Sequence, residues 1–137
     1  HSQIKCAIIS VITRRQIIFM KQKEGMKMKI GIIRCMQTED YCPGTTDFKM
    51  IRERKGAFEG VTEEITVIGF INCGGCPAKK AVLRARELVR RGADTIVFAS
   101  CIQKGTPIGY PCPFAKKMKD LIQKDLGEDI RFIDYTH

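Results

Sequence analysis

What most limits the fold of this chain is the alternation, from Met28 onward, of short apolar runs with stretches of helical period. Lys29–Arg34 (KIGIIR), Glu64–Asn72 (EITVIGFIN), Thr95–Ser100 (TIVFAS) and Asp129–Asp134 each read as a strand. Thr45 or Thr46 is expected to cap a short helix through Phe48 and Ile51. Ala78, Ala81, Val82, Ala85, Leu88 and Val89 recur at helical spacing, with Pro77 in the first turn and Gly92 beyond the last. Pro113 opens a further helix that turns Phe114, Met118, Leu121, Ile122 and Leu126 inward before Gly127. Parallel strands need crossovers of this length, and a parallel sheet needs cover on both faces. The expected fold is therefore α/β: a three-layer open parallel sheet of about four strands with helices on both faces, of the flavodoxin or Rossmann type.

A length of 137 residues suits one domain able to bury a core of its own. The regular pattern assigns residues 28–137 to that domain and leaves 1–27 as an N-terminal extension without an assigned role. The net charge of +9 suggests nucleic acid until it is divided. Residues 1–29 carry seven Lys/Arg against one acid, whereas from Ile30 onward 17 basic residues face 14 acidic ones. The Ala78–Arg91 helix holds Lys79, Lys80, Arg84, Arg86, Arg90 and Arg91 against Glu87. With no aromatic interleaving, these read as a solvated face, and nucleic acid is not the expected partner. The longest apolar candidate, Cys6–Ile12, is broken by Thr13, Arg14 and Arg15, so no membrane span is expected.

Seven cysteines, an odd count in a chain with a well-stocked core, argue against a secreted disulfide scaffold. A reducing, cytoplasmic setting is expected, where clustered cysteines serve metal or redox chemistry. Cys35, Cys73 and Cys101 each follow the last apolar residue of a predicted strand, and His137 holds the comparable place after the fourth. In an open parallel sheet those carboxyl ends share one edge, where ligand crevices form. Cys42, Cys76 and Cys112 fall in the loops leaving the same edge. Cys6 stands outside the pattern and reads as packing.

The sharpest local motif is Cys73-Gly74-Gly75-Cys76-Pro77. A two-residue spacer lets two sulfurs reach one ion, and glycines let backbone N–H groups approach them. Cys76 is expected at the N-cap of the following helix, where the dipole favours thiolate, and Cys112 before Pro113 repeats that placement. The blander reading makes Cys35 and Cys101 simply the buried ends of strands. Thiolates with one imidazole suit zinc. An iron–sulfur cluster is the nearest alternative, since Cys42, Cys76 and Cys112 each precede proline. Thiol–disulfide exchange through Cys73 and Cys76 is the third, though it leaves the other cysteines unexplained. Glu39, Asp40 and Asp47 lie near the predicted edge, and nothing in the sequence separates them from solvated loop carboxylates. No Ser-His-Asp set, P-loop or GxGxxG is present.

With these residues in place, the chain from about Met28 to His137 resembles the CGGC-domain family. The resemblance rests on Cys35, the Cys42-Pro43-Gly44 turn, Gly69-Phe70, Cys73-Gly74-Gly75-Cys76-Pro77, Ser100-Cys101-Ile102, Cys112-Pro113 and Thr136-His137. It implies metal binding, with zinc expected, through Cys35, Cys42, Cys73, Cys76, Cys101, Cys112 and His137. It supplies no substrate, reaction or protein partner.

Overall fold

β1 (Lys27–Arg34) occupies the middle of the sheet because Ile30, Ile32 and Ile33 are fully buried, a run only a strand covered on both faces can carry. The computed structural model describes residues 26–137. The extension expected over residues 1–27, with Cys6, lies but for its last two residues outside the described residues. β2 (Glu64–Asn72) flanks β1 on one side, and β3 (Thr95–Phe98) and β4 (Arg131–Ile133) on the other. All pairings are parallel, in the order β2-β1-β3-β4. The expected α/β open sheet is the fold observed. Burial follows position: β3 is wholly buried, while the edge strands β2 and β4 are at most half-buried.

Two short turns of 3₁₀ helix, Met36–Thr38 and Gly56–Phe58, flank α1 (Thr45–Glu53). α2 (Ala81–Arg90), α3 (Ser100–Gln103) and α4 (Ala115–Leu126) complete the described elements. Crossovers travelling in opposite directions across a sheet place their helices on opposite faces. α1 carries the chain from β1 outward to β2, whereas α2 and α4 carry it back toward β3 and β4. α2 and α4 accordingly pack together, with Arg86 and Asp125 paired at 2.7 Å across them. Phe48 of α1 meets Phe70 of β2 with ring centroids 5.2 Å apart.

α2 sits close to the sheet because two glycines clear its path. A Cβ at Gly31 would lie 2.8–3.0 Å from three Leu88 side-chain atoms, and one at Gly69, its register partner, 2.5 Å from Leu88 Cδ2. Leu88 Cβ cannot swing away, so Gly31→Ala is expected to overpack this layer and cost about 1–3 kcal/mol. A thermal melt should show a fall of several degrees. An unchanged midpoint would mean that the helix slides freely over the sheet.

The elements differ from expectation in detail. α2 starts at Ala81 rather than Ala78, because Ala78 holds φ 68° and ends a turn instead of opening a helix. Thr45 and Thr46 lie inside α1, whose N-cap is Gly44. β3 stops at Phe98, and Ser100 and Cys101 begin α3 rather than finishing the strand. Among the described residues no helix is long and apolar enough to cross a membrane.

Candidate functional site

The chain leaves β1 toward β2 and later returns to β3 on the opposite side, so β1 and β3 diverge at the switch point of the sheet, where their loops leave a crevice. Cys35 follows β1 and donates its N–H to Cys101 Sγ at 3.2 Å. Cys73 follows β2 and donates its N–H to the Arg34 carbonyl at 2.7 Å. The Cys73–Cys76 turn is held from below by Asn72, whose Oδ1 accepts from Gly74 N–H at 2.8 Å and from Arg84 Nη1 at 2.7 Å. Arg84 also reaches the Asn72 carbonyl at 3.0 Å. Gly74 is required here: its φ is +85°, and a Cβ would stand 2.5 Å from Lys80 Cβ. Cys112 donates its N–H to the Ile102 carbonyl at 2.8 Å, and its Sγ accepts from Phe114 N–H at 3.4 Å.

Burial is the first influence on two of these thiols. Burial pushes the Cys112 thiol up, the Phe114 N–H opposes that shift, and the charges of Cys35, Cys73 and Cys76 add to it. Cys101, 4% exposed, is likewise pushed up by burial, against the Cys35 N–H and the Thr38 hydroxyl, with Cys35 and Asp47 adding repulsion. Burial therefore favours the neutral thiol at both positions, and any thiolate partner must offset that preference. A thiol raised in the folded state contributes stability below its unfolded value that is lost as pH rises through the folded one. The metal-free fold is thus expected to weaken from about pH 9, the ordinary thiol value, upward. Melts at pH 7 and pH 10 should show the loss, and its absence would place Cys101 and Cys112 in contact with water.

The other half of the edge is built around a buried carboxylate. Asp47, 3% exposed in the first turn of α1, accepts a short hydrogen bond from the Thr136 hydroxyl. Ser100 Oγ accepts from the N–H groups of Thr136 (3.1 Å) and His137 (2.9 Å) and donates to the His137 carbonyl at 3.0 Å. Lys104 Nζ donates to the same carbonyl at 2.5 Å, and Ala57 N–H to the Thr136 carbonyl at 3.1 Å. The chain here runs so close to Gly56 that a Cβ there would collide with the Thr136 carbonyl oxygen. His137 Nε2 is thereby set 3.8 Å from Asp47 Oδ1. His137 and Cys42 line one cleft of about 190 Å³, together with Tyr41, Thr45, Thr46 and Thr106.

Of the seven residues expected at the site, Cys35, Cys73, Cys76 and Cys112 lie in the loops that leave the carboxyl ends of β1, β2 and β3, and Cys101 Sγ accepts from the Cys35 N–H. Cys42 and His137 share the adjoining cleft, which none of the other five lines. Cys76 is exposed and, because α2 begins at Ala81, does not hold the helix N-cap. Cys112 precedes α4 by three residues, and burial raises its thiol where the helix-dipole argument called for a fall. Sequence reasoning missed the role of Arg84, assigned to a solvated face, and of Asp47, grouped with loop carboxylates. Ser100 and Thr136 entered only as parts of the Ser100-Cys101-Ile102 and Thr136-His137 motifs, with no role of their own. Glu39 accepts from Asn72 Nδ2 at 3.2 Å, while Asp40 stays exposed.

The donor chemistry of this edge suits a thiophilic ion. A further feature agrees: Arg34, 5% exposed and directly before Cys35, has no acceptor for Nε or Nη2 among the described residues. Its guanidinium lies over the Phe70 ring, 5.5 Å from the centroid, and the two unsatisfied nitrogens are compatible with a neighbouring negative group. In the arrangement observed, no three Cys, His, Asp or Glu side chains among the described residues approach closely enough to hold an ion.

Fold and site together define a small α/β protein with a thiol-rich carboxyl edge. The chain belongs to the CGGC-domain family, whose model matches residues 29–137. It is 35% identical over 109 residues to the protein named "Uncharacterized protein MJ0582" of Methanocaldococcus jannaschii, covering 75% of this chain and 80% of that protein. A second relative from the same organism, "Uncharacterized protein MJ0766", is 36% identical over 55 residues, or 39% of this chain and 79% of that one. No solved structure matches the chain.

Proposed function

We propose that the protein binds one zinc ion through the thiolates of Cys35, Cys73, Cys76 and Cys112. The observation that carries this reading is that all four lie on loops leaving the carboxyl ends of neighbouring parallel strands, the Cys73 N–H being bonded to the Arg34 carbonyl, one residue before Cys35, at 2.7 Å. Four sulfurs are the complement of a tetrahedral structural zinc site. Cys101 supports Cys35 from behind through the bond between its sulfur and the Cys35 N–H. Cys42 and His137 are not assigned to this ion because they face the neighbouring cleft. Ligation replaces the preference for neutral thiols with a preference for thiolates, so binding releases protons and weakens in acid. Free thiols in this number fit a reducing, cytoplasmic setting.

The test is elemental analysis, an absorption spectrum and a thiol count on one anaerobically purified sample. One zinc per chain, no visible band, and Cys73 and Cys76 shielded from alkylation until chelator is added are expected. Visible charge-transfer bands would replace zinc by an iron–sulfur cluster. One feature favours thiol–disulfide exchange instead: Cys76 is exposed while Cys73 is buried, an asymmetry suited to an attacking and a resolving thiol. A metal-free protein cycling between a Cys73–Cys76 disulfide and two free thiols would establish that reading and overturn the first.

A further inference from the structure

We propose that the cleft beside the thiol group is a second, independent site in which Cys42 acts as a nucleophile toward small uncharged acyl compounds, with His137 as its base. Three observations converge on it. Cys42 and His137 line the same cleft, and no Lys, Arg, Asp or Glu side chain lines it with them. Behind His137 stands Asp47, a buried carboxylate 3.8 Å from Nε2, placed where it can orient the imidazole. Thr45 and Thr46, on the cleft wall, open α1, a nine-residue helix that no side chain caps. Its first amides have no intrahelical acceptors and are available to a developing oxyanion.

The 3.8 Å separation exceeds a hydrogen bond, as is common in catalytic sites before substrate tightens them. Lys104 is engaged elsewhere, its Nζ bonded to the His137 backbone carbonyl. A cleft of about 190 Å³ with hydroxyl and proline walls admits a small neutral group and offers no salt bridge to a charged one.

The step is redox-neutral. Cys42 Sγ attacks the acyl carbon as its proton passes to His137, and the carbon–sulfur bond forms. The bond from carbon to the leaving oxygen then breaks, and that oxygen takes the proton from His137. Water, activated by the same imidazole, cleaves the acyl–Cys42 thioester and restores the thiol. Asp47 touches no reacting atom and serves as a positioning residue.

The full chain, purified anaerobically with its metal, is mixed with p-nitrophenyl acetate. A burst of about one p-nitrophenolate per chain is expected, with the acetyl group mapped to Cys42 by peptide mass. Cys42→Ser should abolish the burst and His137→Ala slow it at least about tenfold, both with unchanged zinc content and circular dichroism. Asp47→Asn should slow it as well; should that variant fail to fold, His137→Ala decides alone. Acetylation at another cysteine, or a burst indifferent to His137, would overturn the assignment. Loss of zinc from Cys42→Ser or His137→Ala would also overturn it, by placing these residues among the metal ligands while leaving the protein a zinc binder.

Discussion

Replacing Cys73 or Cys76 by serine is expected to lower zinc affinity about a hundredfold or more. Structural zinc sites of four protein ligands bind with roughly 10–16 kcal/mol in all, so one thiolate accounts for about 3 kcal/mol. Cys35→Ser and Cys112→Ser should fall in the same range, because each comes from a loop with no other thiol of the group to compensate. Cys101→Ser should cost far less, since a hydroxyl can still accept the Cys35 N–H now held at 3.2 Å. The measurement is competition against a chromophoric chelator, with free thiols counted in parallel. Equal losses at all six described cysteines would show that the site is not confined to the four, and no loss at Cys76 would remove the Cys73–Cys76 turn from it.

Thr136→Val should produce the second large effect, this time on the fold. The substitution keeps shape and burial but deletes the hydroxyl that donates to Asp47. A carboxylate 3% exposed is then left facing an apolar group. Leaving a buried charged acceptor unpaired costs about 3 kcal/mol. For a domain of this size the melting midpoint should drop by about 10 °C. In an Asp47→Asn background the same replacement should cost much less, because the group left unpaired is neutral, and the double-mutant cycle isolates the coupling. A loss below about 0.5 kcal/mol for Thr136→Val relative to the parent protein would mean that solvent reaches Asp47.

The sheet was legible because its signal is local. Strands read off as apolar runs, alternation dictated parallel pairing, and Cys35 and Cys73 fall just past the strand ends, where the pattern placed them. The start of α2 was not legible because the helical period continues back to Ala78, while a left-handed residue there ends it. Nothing in a one-dimensional pattern reports that conflict. Asp47 was hidden for a different reason: its partner Thr136 is 89 residues away, and a buried carboxylate looks like any other until that partner folds over it. Arg84 was misassigned because charge on a helix usually faces water, whereas this side chain lies within reach of Asn72 and turns back to hold the Cys73–Cys76 turn. That Cys42 and His137 share a cleft which none of the other five expected residues lines depends on how loops settle, which spacing alone does not encode.

The three loops that supply the four thiols lie far apart along the chain: Cys35 precedes Cys73 by 38 residues, and Cys112 follows Cys76 by 36. An ion held by all four would act as a cross-link, cinching two long loops at a single point. Closing one loop of that length in the unfolded chain removes about 4 kcal/mol of conformational freedom in the chain-entropy picture used for disulfides. The domain would then carry the equivalent of a two-loop staple, one that holds under reducing conditions where sulfur–sulfur bonds do not persist. Withdrawing the ion would loosen β1, β2 and the start of α4 together, since each is anchored through its own thiol, and chelation would be felt as a change in the cooperativity of the entire sheet.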